Sequence, residues 1–371
     1  MSEQPIEMNL DLNYKPTLPA KTDYKIGAIG AGFIMRDVHL MAYDKAGFDV
    51  QAIASRTPAH ARAVAEQWGI PRVHDTWQEL LDDEGIEILD IAFPPDQQLG
   101  IVREAVKRPH IQGILAQKPL AMNYQEAKDI VDLCQNAGKK LVVNQNMRYD
   151  HSMRALKTLL DNGVLGEPIF ATIEMRAIPH WQPFLYDYDR LTFLNMSIHH
   201  LDIYRYLFGD PQRVLASART DPRTEFDHED GITVYILEYA NGLRASGWDD
   251  VWTGPVREGC LGDNYIKWRV EGTEGMAYGT IGWVDYPDGS PSTINFTTAQ
   301  QPGYWFQPRW EERWFPDAFM GTMGELMTAL SEDTESPMSG KDNLNTMALI
   351  DACYKSIADG CAVEIKEMME G

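Results

Sequence analysis

Two stretches of the sequence carry side chains suited to proton transfer. Lys118 follows an apolar run directly, and Asn195, His199 and Asp202 are spaced at i, i+4 and i+7, which is one face of a helix. A lysine with a lowered pKa, or an imidazole oriented by a carboxylate, can act as a general acid or base. The spacing therefore predicts acid–base chemistry on a hydroxyl group. A surface lysine and a structural His–Asp pair are the alternative interpretations.

A glycine-rich turn indicates a dinucleotide site. Gly30, Gly32, Phe33 and Ile34 lie between an apolar run and a helical pattern. There the first glycine permits a tight turn and the second lets the backbone approach a pyrophosphate at the helix N-terminus. Met35 stands at the third glycine position of the G-x-G-x-x-G pattern, so a glycine-rich turn without a ligand is the alternative.

The end of the next apolar run bears on the choice between NAD and NADP. A site selective for NAD normally has Asp or Glu there, against the ribose hydroxyl, whereas this chain has Ser55 and Arg56. An arginine at this point can bind a 2′-phosphate, although an ordinary exposed arginine at a strand end explains the residue equally well. We therefore expect NAD or NADP as the cofactor and leave the preference open.

The positions of these residues depend on two patterns of elements. Strand-like and helical segments alternate from Tyr24 to about residue 148, which implies right-handed crossovers and a parallel sheet. Beyond residue 148, short alternating segments separated by Gly, Asn and Asp turns indicate an antiparallel sheet. We predict an α/β fold, with an N-terminal Rossmann doubly wound parallel sheet followed by an α/β domain with a large open antiparallel sheet. The predicted parts are an N-terminal arm (1–24), a dinucleotide-binding domain (25–148) and a substrate-binding and oligomerisation domain (149–371).

Composition narrows the class of protein. The 371 residues include 33 Lys and Arg against 55 Asp and Glu, a net charge of −22, which argues against nucleic acid or an anionic membrane as a partner. No export signal and no long apolar segment is evident. The four cysteines have no C-x-x-C spacing, so disulfides are not indicated. The predicted helix of His199 offers only two metal-ligating side chains close together, so a metal site is not indicated either. We expect a cytoplasmic enzyme that acts on a small molecule.

Six segments together resemble the family of glucose-fructose oxidoreductase, inositol dehydrogenase and rhizopine-catabolism proteins (Gfo/Idh/MocA). The resemblance runs from Tyr24 to about Val363. The segments that carry it are IGAIGAGFI, DIAFPPDQQ, QKPLA, NQNMRYD, NMSIHHLDIYRYLFGDP and WRVEGTEG. It implies a Rossmann domain, then a domain whose open sheet packs against a partner subunit in a homodimer or homotetramer, and NAD(P)-linked chemistry on sugars or polyols.

The resemblance also assigns roles to residues. The family's signature lysine corresponds to Lys118 and its helix histidine to His199, whereas its catalytic aspartate is replaced by Asn195, whose amide cannot accept a proton. Cofactor contacts are implied at Pro94, Gln98 and Gln117, where Gln98 replaces a histidine and Gln117 a glutamate. The residues implied at the substrate are Arg148, His200 and Asp202.

A further polar and aromatic group, Arg176, His180 and Trp181, follows a strand-like segment. Trp181 could stack on a pyranose while the other two donate to hydroxyls or to an anionic group. Ordinary core aromatics beside surface charges are the alternative for each residue taken singly.

Three functions remain open from the sequence. The first is an NAD(P)-dependent oxidoreductase that transfers a hydride between the nicotinamide and a hydroxyl of a sugar, glycoside or polyol. The second is an NAD-dependent oxidative glycosidase that oxidises a sugar hydroxyl transiently and regenerates its cofactor. The third is a non-catalytic nucleotide or sugar sensor. In each case we expect a homo-oligomer, with the N-terminal arm reaching a neighbouring subunit.

Overall fold

The structure, a computed structural model, describes residues 10–177, 183–224, 226–251, 264–282 and 289–370. Six strands form one parallel sheet: β1 (Lys25–Ile29), β2 (Asp49–Ala54), β3 (Arg72–His74), β4 (Ile88–Ile91), β5 (Gly113–Ala116) and β6 (Lys140–Val143). Their order is β3-β2-β1-β4-β5-β6. This is a doubly wound arrangement, in which successive strands are added on one side of β1 up to β3 and on its other side from β4 onward. The predicted Rossmann sheet is therefore confirmed.

Helices connect these strands and bring their carboxyl ends to one edge. A π-helical turn (Ile34–His39) continues into α1 (Leu40–Ala46), and the later helices are α2 (Pro58–Trp68), α3 (Trp77–Leu81), α4 (Pro95–Ala105) and α5 (Tyr124–Asn136). The strands β4 and β5 are buried along their whole length, as expected for a parallel sheet covered on both faces.

A second sheet follows a short 3₁₀ turn (Asn146–Tyr149) and helix α6 (His151–Asp161). Its strands are β7 (Pro168–Arg176), β8 (Arg213–Arg219), β9 (Ile232–Glu238), β10 (Arg244–Asp250), β11 (Tyr265–Gly272), β12 (Gly275–Ile281) and β13 (Thr293–Thr298). Between β7 and β8, a π-helical turn (Phe193–Ser197) leads into helix α7 (Ile198–Phe208). With a short last strand, β14 (Val363–Glu364), the order is β13-β12-β11-β7-β10-β9-β8-β14.

One pairing in this sheet differs from the prediction. The strands β7 and β10 run parallel, whereas the other neighbouring pairs are antiparallel. A parallel pair needs a long crossover, and the chain supplies one because α7, β8 and β9 all lie between β7 and β10. The sheet is therefore mixed, which local alternation of apolar and polar residues cannot reveal.

The last two helices join the two parts of the chain. Helix α8 (Phe319–Ser331) packs on the first sheet, where a Cβ atom at Gly113 of β5 would lie 3.0 Å from Leu326. Helix α9 (Gly340–Asp359) packs on both α5 and β8. One hydrophobic core consequently extends through both sheets. Among the described residues, no helix is both long enough and apolar enough to cross a bilayer.

The described part of the N-terminal arm lies against its own chain. Tyr14 stacks on Trp310 with ring centroids 5.1 Å apart, and Arg154 Nε donates to the carbonyl oxygen of Asn13 at 3.2 Å. Leu12 packs against the core. Residues 10–24 therefore have contacts within the subunit, while Leu18 is 40% exposed, and the expectation that the arm also reaches a neighbouring subunit stays a prediction.

Candidate active site

The turn after β1 has the geometry that a dinucleotide requires. Gly30 has φ of +123°, and a Cβ atom there would lie 2.8 Å from the carbonyl oxygen of Ala92, so only glycine fits. At Gly32, by contrast, no described atom would lie within 4 Å of an added Cβ. The open space at Gly32 fits a pyrophosphate close to the backbone. Met35, at the third glycine position, is fully buried in the core.

The other cofactor residues predicted from the sequence lie along the same edge. Phe33 is 39% exposed and Ile34 half-buried beside the glycine turn. Ser55 is half-buried and Arg56 exposed at the end of β2, and Pro94 is the residue before α4. These positions fit a dinucleotide whose pyrophosphate lies at Gly32 and whose adenosine ribose lies beside Ser55 and Arg56.

The structure brings Lys118, Asn195 and His199 together. Lys118 follows β5, and its Nζ donates to the backbone carbonyl oxygen of Asn195 at 2.8 Å. The Nδ2 of Asn195 donates to the carbonyl oxygen of Leu191 at 3.1 Å. Burial lowers the pKa of Lys118 to about 8, and no charge of the described residues counteracts that effect. A substantial share of Lys118 is therefore a neutral amine at mildly alkaline pH.

His199 lies beside this lysine in an apolar setting. Its ring is 5.6 Å from that of Trp314 at 88°, and its Nδ1 has no hydrogen-bond partner among the described residues. Burial, and then the charges of Lys118 and His200, hold the pKa of His199 well below its usual value. The imidazole is consequently neutral near physiological pH.

Asp202 does not orient His199, so the predicted imidazole–carboxylate pair is wrong. Its carboxylate accepts two hydrogen bonds from Arg148, at 2.6 and 2.7 Å, and one from Thr346 at 2.8 Å. Arg148 also donates to Asp342 at 2.8 Å. The planar guanidinium matches the carboxylate better than an imidazole can. Both residues of this buried pair are therefore engaged in joining α7 to the 3₁₀ turn Asn146–Tyr149 that follows β6.

His200 is also turned into the protein rather than toward a ligand. It is 1% exposed, and its Nδ1 lies 3.0 Å from Asp249 Oδ1 on β10, without hydrogen-bond geometry. The other carboxylate oxygen of Asp249 accepts from the Ser197 hydroxyl. These contacts pack α7 on the second sheet, and the predicted substrate contact of His200 stays a prediction.

Of the predicted substrate residues Arg176, His180 and Trp181, the structure describes only Arg176. Arg176, at the end of β7, lies with its Nη2 3.6 Å from Asp250 on the neighbouring strand β10. His180 and Trp181 lie outside the described residues, so their predicted roles stay predictions.

The two glutamines predicted to contact the cofactor serve the loop that carries Lys118. The buried Gln98 uses its carboxamide on the backbone of residues 117–120, and the Oε1 of Gln117 accepts from the Lys118 backbone nitrogen at 3.0 Å. Gln117 Nε2 faces His39, at 3.3 Å from its Nε2. The donors and the acceptor of the Gln98 amide therefore have backbone partners, and its predicted cofactor contact stays a prediction.

Two residues of the site escaped prediction. Asp230 accepts from the backbone nitrogens of Leu191 and Phe193, both at 2.7 Å, and so anchors the chain that enters the turn of Asn195. Burial raises the pKa of Asp230 to about 6. Nothing in its local sequence identifies this role, because its partners lie almost 40 positions away.

Trp314 is the second missed residue. Its Nε1 donates to Asn146 Oδ1 at 2.9 Å, which fixes the indole against His199. The run of tryptophans at 305, 310 and 314 was the available signal, since aromatic clusters in a loop often line a site.

Comparison with known proteins agrees with this arrangement. Residues 24–145 match the family model described as "Oxidoreductase family, NAD-binding Rossmann fold", and residues 153–278 match the "GFO/IDH/MocA C-terminal domain". D-apiose dehydrogenase of Rhizobium rhizogenes is 29% identical over 94% of this chain and 99% of its own length. Inositol 2-dehydrogenase of Rhizobium meliloti is 26% identical over 92% of this chain and 99% of its own.

Solved structures have the same fold over nearly the whole chain. An oxidoreductase from Agrobacterium radiobacter, crystallised with NAD+, L-tartaric acid and magnesium, superposes with a TM-score of 0.78 at 27% identity. The alignment covers 94% of this chain and all of that one. Levoglucosan dehydrogenase, in a complex with NADH and L-sorbose, has a TM-score of 0.77 at 19% identity over 94% of this chain and 100% of its own, which indicates a shared fold.

Proposed function

Because the chain belongs to the GFO/IDH/MocA family of oxidoreductases, we propose that it is an NAD(P)-dependent dehydrogenase acting on a hydroxyl of a sugar or polyol. The observation that carries this proposal is the enclosed Lys118 amine beside Asn195 and His199, at the sheet edge that holds the glycine turn. The names of the relatives, D-apiose and inositol dehydrogenases, support a polyhydroxylated substrate. We assign cofactor binding to residues 25–148, and substrate binding and assembly to residues 149–371.

In this proposal each residue has one task. A bound nicotinamide supplies the acceptor for the hydride that leaves the carbinol carbon. Lys118, as the neutral amine, takes the hydroxyl proton, because its lowered pKa keeps it unprotonated at mildly alkaline pH. The Oδ1 of Asn195 accepts a hydrogen bond from a substrate hydroxyl, since its Nδ2 already donates to Leu191. The neutral His199, which lies beside Lys118, orients the substrate.

The function is tested by the stoichiometry of reduced cofactor. With NAD+ or NADP+ and a panel of aldoses, cyclitols and aryl glycosides, we expect one reduced cofactor per oxidised product. Lys118→Met should lower kcat by about 10² to 10⁴, the usual effect of losing a positioned base, with cofactor affinity unchanged. Lys128→Met is the matched control, since Lys128 forms an exposed pair with Asp132 on α5.

Three results would contradict the proposal. Release of aglycone without accumulated reduced cofactor would favour the oxidative glycosidase. Cofactor binding without turnover of any substrate would favour the sensor. A Lys118→Met variant with native turnover would remove Lys118 from the chemistry.

We further propose that NADP+ is accepted and that Arg56 binds its 2′-phosphate, because Arg56 is exposed where a site selective for NAD has an acid. Arg56→Ala should weaken NADP+ binding by roughly 10- to 100-fold, the worth of a charge-assisted hydrogen bond, with little change for NAD+. Arg103→Ala, at an exposed position of α4, is the control. Titration calorimetry gives both affinities, and equal losses for the two nucleotides would refute the assignment.

We also propose that the outer face of the second sheet forms a homo-oligomer. Leu215, Val234 and Ile236 are 43%, 50% and 42% exposed on neighbouring strands, and an apolar face of this kind needs a cover. Ile236→Glu should reduce the mass measured by light scattering at micromolar concentration to that of the monomer. Leu18→Glu, an equally exposed position outside the sheet, should not. A monomeric native protein would contradict the proposal.

A further inference from the structure

The loop that carries Lys118 has several of its backbone groups bonded to the side chain of Gln98. Gln98 projects from α4 and is 0% exposed. Its Nε2 lies 2.9, 2.8 and 3.2 Å from the carbonyl oxygens of Gln117, Pro119 and Leu120, and its Oε1 accepts from the Gln117 nitrogen at 2.8 Å. The carboxamide thus bonds to the backbone on both sides of Lys118.

A second set of contacts fixes the residue before Lys118. The amides of Asn144 and Gln117 face His39 Nε2 at 3.0 and 3.3 Å, while His39 Nδ1 lies 2.7 Å from a carboxylate oxygen of Asp90. Through these contacts the Gln117 side chain packs against His39, the last residue of the π-helical turn. The Oε1 of Gln117 accepts from the Lys118 nitrogen at 3.0 Å, and Gln98 bonds to the backbone of residues 117, 119 and 120.

The chemistry at position 98 demands a group that both donates and accepts. A carboxylate would keep an acceptor for the Gln117 nitrogen but would face three carbonyl oxygens without a donor. An apolar side chain would leave all four backbone groups without this partner, and unpaired buried polar groups are costly. A carboxamide of this length meets both needs.

We propose that Gln98 is the positioning residue for Lys118: by bonding to the backbone of residues 117–120 it sets the depth at which the amine meets the Asn195 carbonyl. This inference rests on the proposed function, in which Lys118 transfers the proton. If Gln98 is lost, the loop relaxes and water reaches the ammonium. The pKa of Lys118 then rises toward its usual value, because its lowering is due to burial alone. The titratable groups around this loop include His199 of α7, Glu126 of α5 at the Met122 nitrogen and, behind Gln117, His39 with Asp90.

The test compares Gln98→Met and Gln98→Glu with Gln97→Met, whose site is the preceding, half-buried position of α4. The pKa of Lys118 is measured from the pH dependence of its acetylation, with mass-spectrometric detection. This readout needs no turnover, so it remains informative even if the proposed function fails. Cofactor affinity and kcat are measured on the same samples.

For both Gln98 variants we expect the pKa of Lys118 to rise by at least about 0.5 to 1 unit. We expect kcat at pH 8 to fall by about tenfold or more, in the range for a misplaced catalytic group. Cofactor affinity should remain within about twofold of native, because an amide bonded to backbone makes no cofactor contact. Gln97→Met should match the native protein in all three measurements.

Two outcomes would overturn the inference. In one, cofactor affinity falls while the pKa of Lys118 stays native, which would make Gln98 a cofactor contact. In the other, a folded Gln98 variant has the native pKa and the native kcat. If Gln98→Met does not fold, kcat and cofactor affinity of Gln98→Glu supply the answer, because its new carboxylate would by itself raise the pKa of Lys118.

Discussion

The site depends on the enclosure of one ammonium group whose hydrogen-bond partner is a backbone carbonyl. Lys118 donates to the carbonyl oxygen of Asn195, and burial without a facing carboxylate lowers its pKa to about 8. An aspartate at position 195 would favour the charged form, because an adjacent opposite charge raises the pKa of a lysine. In the proposed mechanism the Asn195 amide cannot accept a proton, so the Lys118 amine takes it.

The need to keep Lys118 enclosed beside Asn195 explains why the elements around the site are joined by buried polar contacts. Gln98 sets the Lys118 loop, Arg148 and Asp202 join α7 to the 3₁₀ turn that follows β6, and Asp230 anchors the chain that leads into Asn195. Removing one partner of a buried ion pair typically costs about 3–5 kcal/mol. Such pairs hold a helix in one position rather than several, and a shift of about 1 Å in a catalytic group is enough to impair proton transfer.

The sequence predicts the elements of the site better than its contacts. The glycine turn, the strand end at Lys118 and the helix of His199 follow from local patterns. The partners of these residues do not, because they are distant in the chain. Asp202 is three positions from His199 but pairs with Arg148, 54 positions away. The π-helical turn at Phe193–Ser197 also changes the spacing that a regular helix would give Asn195.

The most direct test of the central claim, that neutral Lys118 accepts the proton, is the pH dependence of hydride transfer measured in both directions under single-turnover conditions. Oxidation requires the neutral amine, so its rate should rise with pH through a midpoint at about 8, whereas reduction requires the ammonium and its rate should fall through the same midpoint. His199, with its depressed pKa, should add no change near neutrality. Rates that are independent of pH between about 6 and 9 in both directions would contradict the claim.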